Sequence, residues 1–399
     1  MRRGAAGHTV SGGGQGVGIA IGFDQPVQQT GDEVENGSLE NLGDAVNFGD
    51  VGGTVFSHLR ITDAASGGPV FRTRDGEVGG YTILDSSITT PVGEYLTYAS
   101  IEDTPGFTLE NSTVDGGQYY LSQTAGPLFE RDTFTDVPMT FDNEGGIRAS
   151  DSSFLDSPIY DGPDYADDDF SYDTFSGAGT AVDVWSMQNE TFTHDVFSAD
   201  GVGLELDGDY GATVTDSVFS DDGEGAADSS NENTGAGGGD VFTSDTFTHD
   251  SGGLGMYSIA GDTVSDDSFT DDGLGVYMEY PSSDTITRDR FVNDAMYGLY
   301  AWEQYPGGGS PIGLTVSDDV AVHDGHQPGT WTDPEGDAVV GAFFIYAPDG
   351  GVTVQDDHTA DDGGWGIFLV PGAPDTLASG NVSSHDANGC NPATACAYH

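Results

Sequence analysis

The sequence predicts an all-β fold, a parallel β-solenoid built of coils about 22 residues long, and three observations carry the prediction. A phenylalanine set among aspartates recurs as Phe134, Phe154, Phe175, Phe197, Phe219, Phe247, Phe269 and Phe291, at steps of 20, 21, 22, 22, 28, 22 and 22 residues. Each unit reads as a "TV" pair, a pair around the phenylalanine, and a glycine followed by alternation such as "GVYMEY" or "GLYAWE", with turns between them. No stretch sustains a helical period with caps, and Gly and Asp are poor helix formers. A unit this small, holding three short strands, cannot bury its own apolar face and must stack on its neighbours.

Weaker copies extend the repeat in both directions. "SHLRITDAASGGPV", "LDSSITT" and "ENSTVDGG" place Ile61, Ile88 and Val114 at the anchor, and "TVSDDVAVHDG", "TVQDDHTADDG" and "GNVSSHDANG" place Ala321, Thr359 and Val382 there. Residues 1–399 therefore read as one domain, with 386–399 as its end segment. Strands of successive coils lie about 4.8 Å apart, so the anchors stack into an internal ladder. Leu204, Met256, Val276, Leu299 and Ile367 are expected to form a second inward row.

The formal charge is -59 over 399 residues, and all nine basic residues are arginines. With 36% hydrophobic and 11% aromatic residues the chain can still bury a core. Phosphate binding needs a basic stripe, which is lacking, so nucleic acid is excluded as a partner. Cations and neutral or basic glycans suit the charge. The same composition fits a protein of high-salt surroundings, where hydrated carboxylates keep the surface wet, or a secreted protein from a high-GC genome. Cys390 and Cys396 in "NGCNPATACAYH" either close a disulfide at a fraying end, in an extracellular or cell-surface setting, or remain free thiols. No apolar run is long enough to span a membrane. "MRRGAAGHTVSGGGQGVGIAIG" lacks the apolar core of a signal peptide, so an export signal and an end cap are expected upstream of a chain that begins inside a repeat.

The phrases "GHTVSGGGQGVGIAI" and "NGSLENLGDAV" and the iterated "D-x-F-x-x-D-x-G" are similar to right-handed parallel β-helix repeat proteins of the NosD and CASH type, with the pectin-lyase-like fold. The resemblance spans the chain and implies a right-handed coil and extracytoplasmic, carbohydrate-related work. It implies no particular reaction, because the fold hosts lyases, hydrolases, epimerases, adhesins and scaffolds.

Two positions per coil are acidic. Asp132, Asp173, Asp195, Asp245, Asp267 and Asp289 stand two residues before the anchor, and Asp200, Asp222, Asp250, Asp272 and Asp294 three after it. Stacked in a solenoid, these rows repel by about 1 kcal/mol per adjacent pair in water. Two readings relieve the repulsion: turn hydrogen bonds from backbone N–H groups, or Ca²⁺ held between coils by Asp200, Asp222, Asp250, Asp272 and Asp294. No EF-hand loop or regular nonapeptide array supports the second.

If the second row points inward, alternation sends Glu205, Tyr257, Tyr277, Tyr300 and Phe368 outward, with Glu279 and Trp302 two residues further along that face. "GAADSSNENTGAGGGD", "EQYPGGGSPIG" and "HQPGTWTDPEGD", the last carrying Trp331, flank the strand. Tyr257, Tyr277, Glu279, Tyr300, Trp302 and Trp331 are thus candidates for stacking on sugar rings and bonding their hydroxyls. The alternative is a face covered by its own loops or by another subunit. The function expected is a carbohydrate-binding or structural module acting on a polysaccharide or cell-surface glycan. A polysaccharide lyase or glycoside hydrolase and a cation-binding structural surface protein are the rivals. Carboxylates abound for acid and base work, but the "HG", "RIK" and "DPHE" patterns of the enzymes are missing, and no catalytic residue can be assigned. His194, His249, His323 and His385 precede aspartates in "HD" pairs resembling part of an acid/base arrangement. Arg288 and Arg290 are read as salt-bridge partners of aspartates rather than bases.

Overall fold

Runs of Thr, Ser, Val and Phe that are cut every few residues by Asp-Asp or Asp-Gly cannot grow into long strands. In the computed structural model a representative coil has strands Thr263–Ser265, Ser268–Thr270 and Leu274–Glu279. The structure describes residues 2–14, 16–21, 29–48, 51–62, 70–73, 80–91, 93, 95–104, 107–124, 126–142, 146–162, 167–230, 237–303, 312–327, 340–369 and 373–398. These form two compact units, Met1–Thr191 and Phe192–His399. Both are all-β parallel solenoids without a helix among the described residues.

In the first unit Ile61, Ile88, Val114, Phe134, Phe154 and Phe175 are register partners in successive coils. The rings of Phe134, Phe154 and Phe175 follow at 5.0 and 4.8 Å, nearly parallel. A second interior row runs Phe56, Ile83, Leu109, Phe129, Ala149 and Phe170. Both rows are sealed from solvent.

In the second unit Phe197, Phe219, Phe247, Phe269 and Phe291 stack at 4.8, 4.7, 4.8 and 5.1 Å. This is the spacing of hydrogen-bonded strands, so each ring lies flat on the next. Ala321, Thr359 and Ser383 continue the ladder. The last of these corrects the expected anchor Val382 by one residue. The acidic frame shows why: Asn381 and Asp386 stand two before and three after Ser383, as Asp267 and Asp272 do around Phe269. Ser383 donates its hydroxyl to Asp386 Oδ2 at 2.6 Å.

The inward row runs Leu204, Ala226, Leu254, Val276, Leu299, Phe343 and Ile367. Met256 belongs instead to the neighbouring row with Met278 and Ala301. Matching "GMY" to "GVY" misplaces it, whereas the 22-residue step from Phe247 to Phe269 carries Leu254 onto Val276.

The paired aspartates make the corners. Asp266 and Asp271 take left-handed φ values of 62° and 60° and face solvent. This conformation suits Asp and Asn better than branched residues. The following residues, Asp267 and Asp272, turn inward and are 2% and 1% exposed. Asp267 Oδ2 accepts from the Ser265 N–H of its own coil at 3.1 Å, while its backbone N–H donates to Asp289 Oδ1 of the next at 2.7 Å. A corner N–H bent out of the strand ladder would otherwise be an orphaned donor. Serine and asparagine serve the same corner elsewhere: the Asp132 N–H donates to Ser152 Oγ, and the Asp357 N–H to Asn381 Oδ1.

The chain end is tied into the last coil, with Cys390 beside Ile367 and Ala397 beside Val382. Cys390 and Cys396 are joined by a disulfide across a Cα separation of 6.1 Å.

Candidate functional site

Alternation along Leu274–Glu279 buries Val276 and Met278 and leaves Tyr277 and Glu279 half-exposed. Register sets Tyr277 beside Tyr300, then Phe344, then Phe368. Their rings stack at 5.6, 5.3 and 4.6 Å, within 12° of parallel. Tyr300, expected on an exposed stripe, is only 6% exposed. It lies in the middle of the stack, packed with Tyr297, Phe344 and Trp302, and backs the face of Tyr277 rather than offering its own. Trp302 is half-buried beside Glu279 and Tyr346. Trp331 lies outside the described residues.

Tyr257 is the register partner of Glu279, not of Tyr277. The partner of Tyr277 is Gly255, and the missing side chain there admits the Tyr257 ring. A Cβ on Gly255 would lie 2.8 Å from Tyr257 Cε2 and from its hydroxyl oxygen. The Tyr257 ring thereby sits 5.5 Å from that of Tyr277, tilted by 48°. Its hydroxyl donates to Glu224 Oε1 at 2.9 Å, and the Tyr277 hydroxyl reaches Glu279 Oε2 at 3.5 Å.

These residues enclose a cleft of about 280 Å³ lined by Glu224, Gly252, Leu254, Gly255, Tyr257, Leu274 and Tyr277. Burial holds the Glu224 carboxyl above its ordinary range, opposed by the Tyr257 hydrogen bond and reinforced by the nearby Glu205 carboxylate. Glu205 is itself raised by burial and then by Asp207. Burial, then the facing glutamate, raises the hydroxyls of Tyr257 and Tyr277. The cleft thus combines an apolar floor, two aromatic rings and one carboxyl, that of Glu224, held ready to donate or accept. Glu224 was not singled out by sequence, because it follows the corner of a coil with alanines where others carry aromatics. Its only mark is the phrase "DDGEG", a charge where the later coils have Leu274 and Tyr297.

The five aspartates considered as calcium ligands lie elsewhere, inside the corners. Asp200, Asp222, Asp250 and Asp272 donate their backbone N–H to Oδ1 of Asp222, Asp250, Asp272 and Asp294 at 2.7, 2.8, 2.8 and 3.1 Å. Burial pushes Asp222, Asp250 and Asp272 up to about 7. Asp228, Asp240 and Asp262 form a separate buried cluster whose oxygens lie within 4.8 Å of one another.

The "HD" pairs divide between two environments. His194 and His249 take the exposed left-handed corner position and pair with Asp216 and Asp271 of the next coil at 3.8 and 3.9 Å. The aspartates after them, Asp195 and Asp250, are buried ladder members. Sequence neighbours thus point apart, and the acid/base resemblance is corrected on that ground. Arg288 forks onto Asp266 at 2.9 and 2.7 Å.

Residues 150–307 match the family model "Periplasmic copper-binding protein (NosD)". No curated protein matches the chain in sequence. Solved structures similar to it include tailspike protein 3 of bacteriophage CBA120, with 10% identity, a TM-score of 0.45, and coverage of 89% of this chain and 56% of that one. The periplasmic alginate epimerase AlgG gives 8%, 0.35, 90% and 79%, and a PL6 alginate lyase in complex with a trisaccharide 9%, 0.33, 96% and 87%. The chain spans little more than half of the tailspike. No helix among the described residues is long and apolar enough to cross a membrane. The matched segment does not carry a donor set for copper, which favours imidazole and sulfur. Its two histidines, His194 and His249, are at exposed corners of different coils, it holds no cysteine, Met187, Met256 and Met278 are buried in the core, and Met296 is half-buried against the Tyr297, Tyr300 and Phe344 cluster with no imidazole beside it in that coil.

Proposed function

We propose that this parallel β-helix repeat protein binds a neutral or amino-bearing polysaccharide outside the cytoplasm, with one sugar seated against Tyr277. The observation that carries the reading is the cleft itself. Tyr277 presents a half-exposed ring made rigid by the stack behind it, Tyr257 closes one side, Glu224 lines the same space, and Glu279 stands at the Tyr277 hydroxyl. The axial C–H groups of a pyranose form a flat apolar patch that suits such a ring, and the carboxyls hold its hydroxyls. Rigid aromatic anchors lose little conformational entropy on binding. Glu205, Glu224 and Glu279 together repel polyanions, so the glycan class is neutral or cationic. The disulfide at the chain end suits an oxidising compartment.

Catalysis is the second reading, favoured by one feature. Glu224 is a carboxyl raised by burial with a second carboxylate, Glu205, acting on it, the pairing used to protonate a glycosidic oxygen. Incubation of the protein with neutral and amino polysaccharides, followed for retention, reducing ends and unsaturated products, separates the readings. Retention without products supports the binding module. Products lost in Glu224→Gln establish the hydrolase or lyase, and neither retention nor products removes the cleft as a glycan site.

A further inference from the structure

One interior row of the second unit runs Leu206, Asp228, Met256, Met278, Ala301 and Ile345, and Asp228 is its single polar member. Asp228 is 1% exposed; among the described residues no N–H or hydroxyl reaches either of its carboxylate oxygens, and the Asp240 carboxyl lies within hydrogen-bonding reach. A buried charge without compensation is strongly destabilising. The cost calls for a partner. Asp228 points across the interior at a corner row, where one oxygen from each of Asp228, Asp240 and Asp262 comes within 4.8 Å of the others.

Those two corner aspartates split their oxygens between tasks. Asp240 Oδ1 accepts from the Ala212 N–H at 2.7 Å and Asp262 Oδ1 from the Asp240 N–H at 2.9 Å, whereas both Oδ2 atoms are buried without a donor. In the following coil Asp284 has Oδ2 occupied by the Ser282 N–H at 2.6 Å. The inward-facing, donor-free oxygens of this row therefore gather opposite Asp228.

We infer that Asp228, Asp240 and Asp262 form an interior site for one divalent cation of the calcium type. The donors are all hard carboxylate oxygens, which select such ions over softer metals. Two oxygens bound to one Ca²⁺ at about 2.3–2.6 Å can stand no more than about 5 Å apart, and the cluster meets that limit. Asp228, with both oxygens free of donors, can bind through both. Two oxygens bound to one magnesium at about 2.0–2.1 Å can stand no more than about 4.2 Å apart, a tighter limit than the 4.8 Å within which this cluster lies. In the absence of an ion, burial drives the same groups toward protonation, Asp240 to about 6 and Asp262 to about 7.

The test uses the full chain produced with millimolar calcium, passed over a chelating resin and analysed for metal, alongside Asp228→Met, which restores the residue found in the next two coils. The wild type is expected to retain one calcium per chain and Asp228→Met none. Calcium should raise the wild-type melting temperature by several degrees over sodium at equal ionic strength. Asp228→Met should melt alike in both and, without calcium, above the wild type. Asp228→Asn, closer in shape, gives the same loss of metal if the methionine fails to fold. Wild type without calcium and without a melting response overturns the site in favour of shared protons. An undiminished calcium response in Asp228→Met places the ion elsewhere, and an equal response to magnesium overturns the choice of ion.

Discussion

The Tyr257 hydroxyl reaches Glu224 Oε1 at 2.9 Å across 33 residues of sequence because the position between them in the stack, Gly255, has no side chain. That vacancy tilts a tyrosine out of its own column and onto Tyr277. The relationship ties the shape of the cleft to the protonation of its carboxyl.

Tyr257→Phe keeps the ring and removes the donor. Since the hydrogen bond lowers the Glu224 pKa against the effect of burial, its loss should raise that pKa further. Titration of the glutamate carboxyl by NMR reads the shift, and a fall would contradict the assignment. One hydrogen bond to a carboxylate is worth about 1.5–3 kcal/mol at most, so the fold should survive.

Gly255→Ala should disturb the cleft more than the core. Its Cβ would meet the Tyr257 ring and Glu224, displacing the tyrosine and weakening glycan retention. Gly253→Ala, by contrast, would push against the Gly275 carbonyl oxygen at 2.6 Å and Phe269 at 2.8 Å, at a cost of about 1–3 kcal/mol. Urea unfolding and affinity electrophoresis, applied to both variants, should show opposite balances of the two effects.

The phenylalanine ladder sets most of the stability of a coil. Phe247→Ala removes a fully buried ring stacked on both sides and should cost about 3–5 kcal/mol in urea unfolding. A cost below 1 kcal/mol would mean that the ladder is not packed as described.

The corner aspartates fix the sign of the pH dependence. Burial raises Asp245, Asp289 and Asp357 to about 7 and Asp267 to about 9, against about 3.9 for an unfolded aspartate. Between those values the folded chain binds more protons than the unfolded one, so stability falls as pH rises from about 4 through 7. Melting should be higher at pH 5 than at pH 8 at constant ionic strength. Asp357→Asn, which copies the asparagine of the next corner, Asn381, should flatten part of that slope and stabilise the protein at pH 8. A melting temperature that rises with pH would contradict the buried ladder.

His249→Asn should leave binding, and any turnover, unchanged. The histidine is exposed at a left-handed corner that asparagine also accepts, and its pair with Asp271 is a surface contact. A loss of function there would reopen the "HD" pairs as chemistry.

The fold was legible because one large residue recurs at nearly constant spacing, and the geometry of stacked coils turns such a period into a ladder. Strict use of that 22-residue step carries Leu254 onto Val276 and Tyr257 onto Glu279, as the register has them, whereas local likeness of three-residue phrases displaces Met256 and Tyr257 by two positions. The corners were half legible. An Asp-Asp pair announces a turn, but which aspartate is buried depends on the left-handed φ of the first, Asp266 or Asp271, and that conformation has no residue-specific signature, since Arg131, Tyr172, Ala199 and Arg288 adopt it at equivalent corners alongside Asp, Asn, His and Ser. Alternation gives direction, not cover, so the burial of Tyr300 is not legible in sequence: the ring points outward and is closed over by Tyr277, Phe344 and Trp302. Asp228 and Glu224 escaped notice because each departs from its row in a single coil, and a row becomes visible only once register is known.

The central claim, a glycan seated on Tyr277, is tested most directly by affinity electrophoresis of wild type and Tyr277→Ala in gels containing neutral or amino polysaccharides, with melting temperatures recorded for both. The account predicts retention of the wild type by at least one of these glycans and retention weakened about tenfold or more in Tyr277→Ala, equivalent to about 1.4 kcal/mol, with the fold intact. Equal retention of the two proteins would contradict it.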